Sequence, residues 1–186
     1  MDTISTKNQV KRLASLAGRL LILSKMDEGN GITDKMKFSM TDAVIDTTSS
    51  FESVAETNNR KIVCDIEENI YFTGEEKRIR EMFGIFLDNA VKYSTEGSEI
   101  LVSLKRKGRK IIYEITNEMD QIKKGNQDVL FERFYRSDAS RNSATGGSGI
   151  GLSVAQAVAQ AHKGKLTAQS RDGKSLTITF IVGPAV

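Results

Sequence analysis

The 186-residue sequence is poor in several residue types, and each scarcity excludes a class of protein. One cysteine excludes an internal disulfide framework and a multi-cysteine metal site, and one histidine excludes a histidine-rich zinc site. One proline excludes proline-rich and collagen-like segments. No apolar run reaches the roughly 18 residues of a membrane-spanning helix, and no signal peptide is visible. We therefore expect a cytoplasmic fragment.

What is present favours a globular protein. Hydrophobic residues make up 39% and charged residues 27%, which is enough apolar material for a packed core. Lys and Arg number 27 against 24 for Asp and Glu, and this small excess does not indicate a nucleic-acid partner. Cys64 lies within the apolar run 61–66, so we predict that it is a buried small hydrophobic residue rather than a reactive thiol.

The first segment has the pattern of a separate helix. Thr6 and Gln9 form a capping box, and the helix is predicted to end at the glycines of 29–31. Its wide apolar stripe needs a partner, which we predict to be a helix of a second subunit; docking on the same chain is the alternative. The predicted organisation is an appendage over 1–33 and a domain over 34–186. The stripe consists of Val10, Leu13, Leu16, Ala17, Leu20 and Leu23.

The remaining chain interleaves helices and strands. Neighbouring strand pairs look like antiparallel hairpins, which predicts the α/β class, with a two-layer α/β sandwich and a mixed sheet. The helices are predicted over 42–56, 75–93 and 150–161, and the strands over 61–66, 70–72, 99–105, 110–117, 166–170 and 175–182.

The strongest predicted helix, 75–93, carries Asn89 and Lys92 together on one flank of its apolar stripe. An amide oxygen is a suitable hard ligand for Mg²⁺, and an ammonium group suits a phosphate oxygen. The alternative is that both are ordinary solvated helix residues.

A glycine-rich loop, 146–152, opens the last predicted helix. Such a loop exposes backbone N–H groups and the positive end of the helix dipole, which suits a phosphate. It lacks the lysine of a P-loop and the spacing of a dinucleotide fingerprint. A flexible hinge is the alternative.

A third motif, Phe-Glu-Arg-Phe-Tyr-Arg over 131–136, precedes this loop. Its aromatic residues could anchor a mobile lid, and its arginines could reach phosphates. Core packing of Phe131 and Phe134 is an equally natural interpretation.

The order and spacing of these three motifs closely resemble the catalytic ATP-binding domain of sensor histidine kinases. These kinases belong to a superfamily with gyrase, HSP90 and MutL, and the resemblance implies their Bergerat-type ATP-binding fold. Residues 12–29 resemble the second helix of the dimerisation hairpin that precedes this domain. The phosphoacceptor segment, a histidine followed by Glu and then Arg-Thr-Pro-Leu, is absent. His162 lies in another motif, and we interpret it as structural.

The resemblance implies specific roles. Asn89 would bind a Mg²⁺ that bridges the phosphates of ATP, Lys92 would contact a phosphate, and both would be the catalytic residues. Tyr93 would flank the base or ribose. Arg133 or Arg136 would reach the nucleotide. The phosphates would be cradled by Gly147, Gly149 and Gly151, followed by Leu152, and the lid would be anchored by Phe131, Phe134, Tyr135 and Arg136.

Four positions depart from the pattern. The acidic residue that contacts adenine in the resembling family is here Asn117, and Met119 and Gln121 replace the two glycines that follow it. The first asparagine of the helix motif is replaced by Ile85. The changes at Asn117, Met119 and Gln121 predict an adenine pocket that still functions but is more open and weaker.

The resemblance implies the cytoplasmic ATP-binding portion of a sensor histidine kinase. It would use ATP and Mg²⁺ and transfer the γ-phosphoryl group to a histidine, from which it passes to a response regulator. The implied partners are that regulator and the phosphoacceptor helix, within a homodimeric parent in the cell membrane. Without that helix, no autophosphorylation is expected. The alternatives are a histidine-less ATPase or serine kinase of the superfamily and a pseudokinase interaction module.

Overall fold

The computed structural model describes Val10, Ala14, Ala17, Gly18, Ser24 and the ranges 34–120, 122–135 and 149–183. The five residues before 34 are helical and exposed. The rest of the predicted N-terminal helix and the predicted loop up to residue 148 lie outside the described residues. In the ranges from 34 onwards, no helix is long and apolar enough to cross a membrane.

The described ranges from 34 onwards contain three α-helices, one 3-10 helix and eight strands. All three helices predicted in this region are confirmed within two residues, because their apolar periodicity is local. Strands β1 and β6 were not predicted. The elements are β1 (Met36–Ser39), α1 (Met40–Thr57), β2 (Lys61–Ile66), β3 (Tyr71–Gly74), α2 (Glu76–Tyr93), β4 (Glu99–Lys107), β5 (Lys110–Glu118), β6 (Gly125–Asn126), the 3-10 helix (Asp128–Phe131), α3 (Gly151–Ala161), β7 (Lys165–Ser170) and β8 (Ser175–Val182).

Six strands form one mixed sheet in the order β2-β4-β5-β8-β7-β6. Strand β2 is parallel to β4, and the other described pairs are antiparallel. Strands β1 and β3 form a separate two-stranded antiparallel sheet. This arrangement confirms the α/β class and the mixed sheet, and it confirms the hairpins β4–β5 and β7–β8.

The expectation of a hairpin between the strands 61–66 and 70–72 is wrong. Strand β2 pairs with β4, and β3 pairs with β1 instead. A parallel pair requires a long crossover, and α2 supplies it between β2 and β4. The sequence pattern detects a strand but not the partner that it will find.

The prediction that Cys64 is buried is also wrong. Cys64 is exposed, although it lies opposite the buried Val102 in the sheet. Strand β2 is the edge of the sheet, so its side chains have a neighbouring strand on one side only. Partial burial of the thiol raises the pKa of Cys64, and the negative charge of Glu52 raises it further. The thiol is therefore protonated at neutral pH and is not an activated nucleophile.

The core lies between the sheet and the apolar face of α2. The Phe83 ring stacks on the Tyr113 ring of β5 at a centroid distance of 4.4 Å. Both residues are 1% exposed, and each buried side chain of this size contributes roughly 1.5–3 kcal/mol. The predicted stripe is buried throughout and consists of Ile79, Met82, Phe83, Phe86, Leu87, Ala90 and Val91.

Candidate nucleotide-binding site

The last turns of α2 present a half-buried amide. Asn89 donates a 2.8 Å hydrogen bond from Nδ2 to the carbonyl oxygen of Ile85, one turn earlier. This bond fixes the side chain and leaves Oδ1 without a hydrogen-bond partner among the described residues. An amide oxygen is one of the hard ligands that Mg²⁺ accepts, so Asn89 fits the predicted metal ligand.

Other protein ligands for a metal are scarce. Within the described residues, no group of three or more His, Cys, Asp or Glu side chains could hold a metal ion. Mg²⁺ is commonly bound through one or two protein oxygens together with substrate phosphates and water. A Mg²⁺ at Asn89 would therefore depend on the phosphates of a nucleotide.

Lys92 lies on the same helix and is paired with a carboxylate. Its Nζ atom lies 2.5 Å from Oδ2 of Asp88, one turn earlier, and both side chains are about one-third exposed. An exposed pair of this kind is worth about 0–1 kcal/mol, so a phosphate could replace the carboxylate with little loss. The Asp-Lys spacing of four residues is the sequence signal that could have indicated this pair.

The end of α2 is held by a residue that the sequence interpretation missed. The Arg60 guanidinium donates a 2.5 Å bond to the carbonyl oxygen of Ser94, the C-cap of α2. It also donates to the carbonyl oxygen of Asn58, the C-cap of α1. A positive charge between two helix C-termini is favourable for both dipoles. The contact spans 34 residues, so no local pattern announces it. Tyr93, the last residue of α2, is half-buried beside this anchor.

Asn117 is buried near the end of β5, with 5% of its surface exposed. It shares the helix-facing side of β5 with Tyr113 and Ile115, because alternate strand residues share a face. Its Nδ2 donates to the carbonyl oxygen of Glu118 at 3.2 Å, and Oδ1 has no partner among the described residues. The amide of Thr95 donates to that same carbonyl at 3.0 Å, which brings the segment after α2 to this end of the sheet. The free oxygen can accept one hydrogen bond from an adenine amino group.

Helix α3 begins at Gly151. Ile150 supplies no side-chain cap, and the Ser153 hydroxyl bonds back to the Ile150 carbonyl at 2.8 Å. The amides of the first turn have no intrahelical acceptor, and with the helix dipole they favour an anion. Leu152 is partly buried against the core, so its side chain supports the helix.

The described residues on either side of the predicted lid are joined through the backbone. The Phe134 amide donates to the carbonyl oxygen of Gly149 at 3.0 Å. Gly149 has a φ of +68°, and a Cβ atom there would lie 3.0 Å from the Phe134 backbone. This close approach requires glycine.

The predicted lid anchors divide into two groups. The Phe131 side chain is 1% exposed and packs in the core, whereas the Phe134 side chain is 67% exposed. Phe134 therefore holds the segment before the predicted lid through its backbone hydrogen bond to Gly149 and not through side-chain packing. Arg133 is exposed, and Arg136 and Gly147 lie outside the described residues.

Helices α2 and α3 contact each other. The Glu75 amide at the start of α2 donates to His162, the residue after the end of α3, so the two helices run in opposite directions. The turn that carries Asn89 and the first turn of α3 are therefore at the same end of the helical layer. An amide oxygen for a cation, a helix N-terminus for phosphates and the Asn117 oxygen form one candidate site for a nucleotide.

Comparison with known proteins assigns the class that this fold and site define. Residues 74–185 match the model of a family described as "Histidine kinase-, DNA gyrase B-, and HSP90-like ATPase". The chain belongs to this family of ATP-binding domains, which confirms the resemblance seen in the motifs.

The individual relatives that it matches include a sensor protein and a sensor-like histidine kinase. The sensor protein DltS of Streptococcus agalactiae serotype III (strain NEM316) is 33% identical over 172 residues, which cover 92% of this chain and 43% of DltS. The sensor-like histidine kinase SenX3 of Mycolicibacterium smegmatis is 29% identical over 92% of this chain and 44% of SenX3. The chain thus spans less than half the length of these relatives. The fold is shared with the Acinetobacter baumannii histidine kinase AdeS, with a TM-score of 0.80 and 24% identity over 98% of this chain and 83% of the AdeS chain.

Proposed function

We propose that this chain is the ATP-binding catalytic part of a sensor histidine kinase. It binds Mg²⁺-ATP between the last turns of α2 and the glycine-opened start of α3. The single observation that carries the proposal is the half-buried Asn89, whose Nδ2 is held by Ile85 while its Oδ1 has no hydrogen-bond partner in the described part of the chain. The family match supports ATP as the nucleotide.

Each residue of the site has a distinct task. Asn89 would hold Mg²⁺ against the phosphates, and Lys92 would leave Asp88 to contact a phosphate oxygen. The first-turn amides at Gly151 and the Gly147–Gly149 backbone would surround the phosphates. The Asn117 side-chain oxygen would accept a hydrogen bond from the adenine amino group. Tyr93 would flank the base or ribose, and Arg133 or Arg136 would reach the nucleotide. Phosphoryl transfer depends mainly on positioning and charge neutralisation, which this set supplies.

The phosphoryl acceptor is a histidine outside this chain. The chain has one histidine, and both ring nitrogens of His162 are engaged with backbone groups at 2.8 and 3.0 Å. The proposed acceptor therefore belongs to a phosphoacceptor helix of the parent kinase, which would be a homodimer in the cell membrane and would pass the phosphoryl group to a response regulator. The name of SenX3, a sensor-like histidine kinase, supports a histidine as the acceptor.

Calorimetric titration of the chain with the ATP analogue AMPPNP, with and without Mg²⁺, tests the site. We expect Asn89→Ala to weaken Mg²⁺-dependent binding roughly tenfold or more, because it removes the metal ligand. Asn58→Ala is the matched control, since Asn58 makes the same type of bond from Nδ2 to a carbonyl one turn earlier, at 2.7 Å to Val54. Equal affinities of the two variants would refute the site, and no binding by the unaltered chain would favour a pseudokinase.

A second experiment tests the reaction. Incubation of the chain with labelled ATP should leave it without acid-labile phosphate, and a separately supplied phosphoacceptor helix should become labelled on histidine. Labelling of His162 would contradict the proposal that the acceptor is another histidine. Acid-stable label on serine of a supplied protein would favour the serine-kinase alternative.

A further inference from the structure

His162 joins two helices that both contribute to the proposed nucleotide site. Its Nε2 lies 3.0 Å from the backbone amide of Glu75, which donates to it at the start of α2. Its Nδ1 lies 2.8 Å from the carbonyl oxygen of Val158 in the last turn of α3. Nε2 must be the acceptor and Nδ1 the donor, so the ring is neutral and carries its proton on Nδ1.

The ring has little freedom to move. It is 8% exposed and lies 5.8 Å from the ring of Phe72 on β3. A Cβ atom on Gly74 would lie 2.7 Å from its Cδ2 atom, so strand β3 passes directly against the imidazole. The charged groups that act on the ring are Glu75 and Lys35. Three elements, β3, α2 and α3, therefore hold one side chain in one orientation.

This contact lies far from the proposed nucleotide-binding residues but involves the same two helices, α2 and α3. Along α2, Glu75 and Asn89 are separated by roughly 21 Å at 1.5 Å per residue, and along α3, His162 and Gly151 are separated by roughly 17 Å. A shift of one helix along the other by a single residue would displace Asn89 relative to Gly151 by roughly 1.5 Å. Misplacement of about 1 Å can reduce an enzyme's rate by about 100-fold.

We propose that His162 is a positioning residue, which sets the axial register of α2 against α3 through its bond to the Glu75 amide and thereby aligns Asn89 with the start of α3. The inference rests on the proposed function, because the register matters only if a nucleotide bridges the two helices. His162 does not contact the nucleotide. Without the bond, the aligned arrangement is less populated, and the apparent dissociation constant rises by the inverse of the aligned fraction.

Two substitutions at His162 separate this role from simple stabilisation. In His162→Gln, the introduced amide oxygen reaches the region of Nε2 and can accept from the Glu75 amide. In His162→Asn, the shorter amide occupies the region of Nδ1, so it can bond to Val158 but cannot reach Glu75. Both variants lose the ring and its packing against Phe72, so each is the control for the other.

We expect His162→Gln to bind Mg²⁺-AMPPNP within about twofold of the unaltered chain and His162→Asn to bind roughly fivefold more weakly, the order of one hydrogen bond. Urea unfolding of both variants establishes the fraction folded, and affinities refer to the folded protein. Equal affinity of His162→Asn and His162→Gln would overturn the inference while leaving the proposed function intact. No binding by the unaltered chain would overturn both.

A measurement on the unaltered chain keeps the inference testable if a variant does not fold. Coupling is reciprocal, so a nucleotide that prefers the aligned register must strengthen the bond that favours it. Mg²⁺-AMPPNP should therefore slow hydrogen exchange of the Glu75 amide about as much as the bond strengthens binding. The Asn58 amide, bonded to Ala55 at 3.0 Å at the end of α1, is the reference for any general stabilisation. Equal slowing at both amides would refute the coupling.

Discussion

The backbone amide of Phe134 donates a 3.0 Å hydrogen bond to the carbonyl oxygen of Gly149. Phe134 itself has a φ of +63°, a left-handed conformation that is strained for a bulky residue. Strain of this kind persists where surrounding contacts determine the backbone, and it is common at ligand sites. The bond joins the chain before the proposed lid to the chain that enters α3.

Gly149→Ala should disturb this junction in two ways. The left-handed backbone disfavours a side chain by roughly 1–2 kcal/mol, and the new Cβ would lie 3.0 Å from the Phe134 and Tyr135 backbone. Gly97→Ala is the control, since Gly97 has a φ of +77° with no atom within 4 Å of a Cβ. Urea unfolding should show the larger loss for Gly149→Ala, and calorimetry should show weaker Mg²⁺-AMPPNP binding for this variant alone. Similar losses for both would mean that the close approach is unimportant.

Asn117→Asp should strengthen ATP binding. A carboxylate accepts a hydrogen bond from the adenine amino group more strongly than an amide oxygen, by about 1 kcal/mol, which is roughly fivefold in affinity. The free protein should be destabilised, because Asn117 is 5% exposed and its Nδ2 donates to the Glu118 carbonyl. A carboxylate cannot make that bond, and its burial is unfavourable. ATP titration and urea unfolding measure the two effects, and weaker ATP binding would argue against an adenine contact at this position.

The stability of the protein should depend on the protonation of His162. Burial is the main cause that lowers the pKa of His162, and the charge of Lys35 lowers it further, against the bond to Val158 and the charge of Glu75. Between this lowered pKa and the unfolded value of about 6.5, the unfolded chain binds more protons than the folded chain. The free energy of unfolding should therefore fall as the pH drops below about 6.5 and level off below the folded-state pKa. Urea unfolding from pH 7.5 to 4.5 tests this, and His162→Gln should lack this part of the pH dependence.

Tyr113→Phe should be neutral or stabilising. The Tyr113 hydroxyl is buried and has no hydrogen-bond partner among the described residues, and burial raises the pKa of its phenol. Removal of an unpaired buried hydroxyl should leave the free energy of unfolding unchanged or raise it by up to about 1 kcal/mol. Tyr71→Phe, at a residue that is 50% exposed, is the control and should change it by less than about 0.5 kcal/mol. A loss above about 1 kcal/mol for Tyr113→Phe would show that the hydroxyl has a buried partner such as water.

Local periodicity in the sequence predicted most of the helices and strands. The 3.6-residue repeat of α2 predicted its buried face, and the two-residue alternation of β4 and β5 predicted their hairpin, because both patterns are written in neighbouring residues. The order of the motifs predicted the family, which the family match confirms. The nucleotide roles of the motif residues remain predictions.

Tertiary structure alone decided what depends on distant residues. The partner of β2 and the exposure of Cys64 follow from the place of this strand at the sheet edge. The bond from Glu75 to His162 joins positions 87 residues apart. The sequence by itself determined the three helices and six of the eight strands from residue 34 onwards, since their local patterns are typical of helices and strands. Only the folded chain determined which distant segments meet, because those contacts form between groups whose spacing along the chain carries no periodic signal.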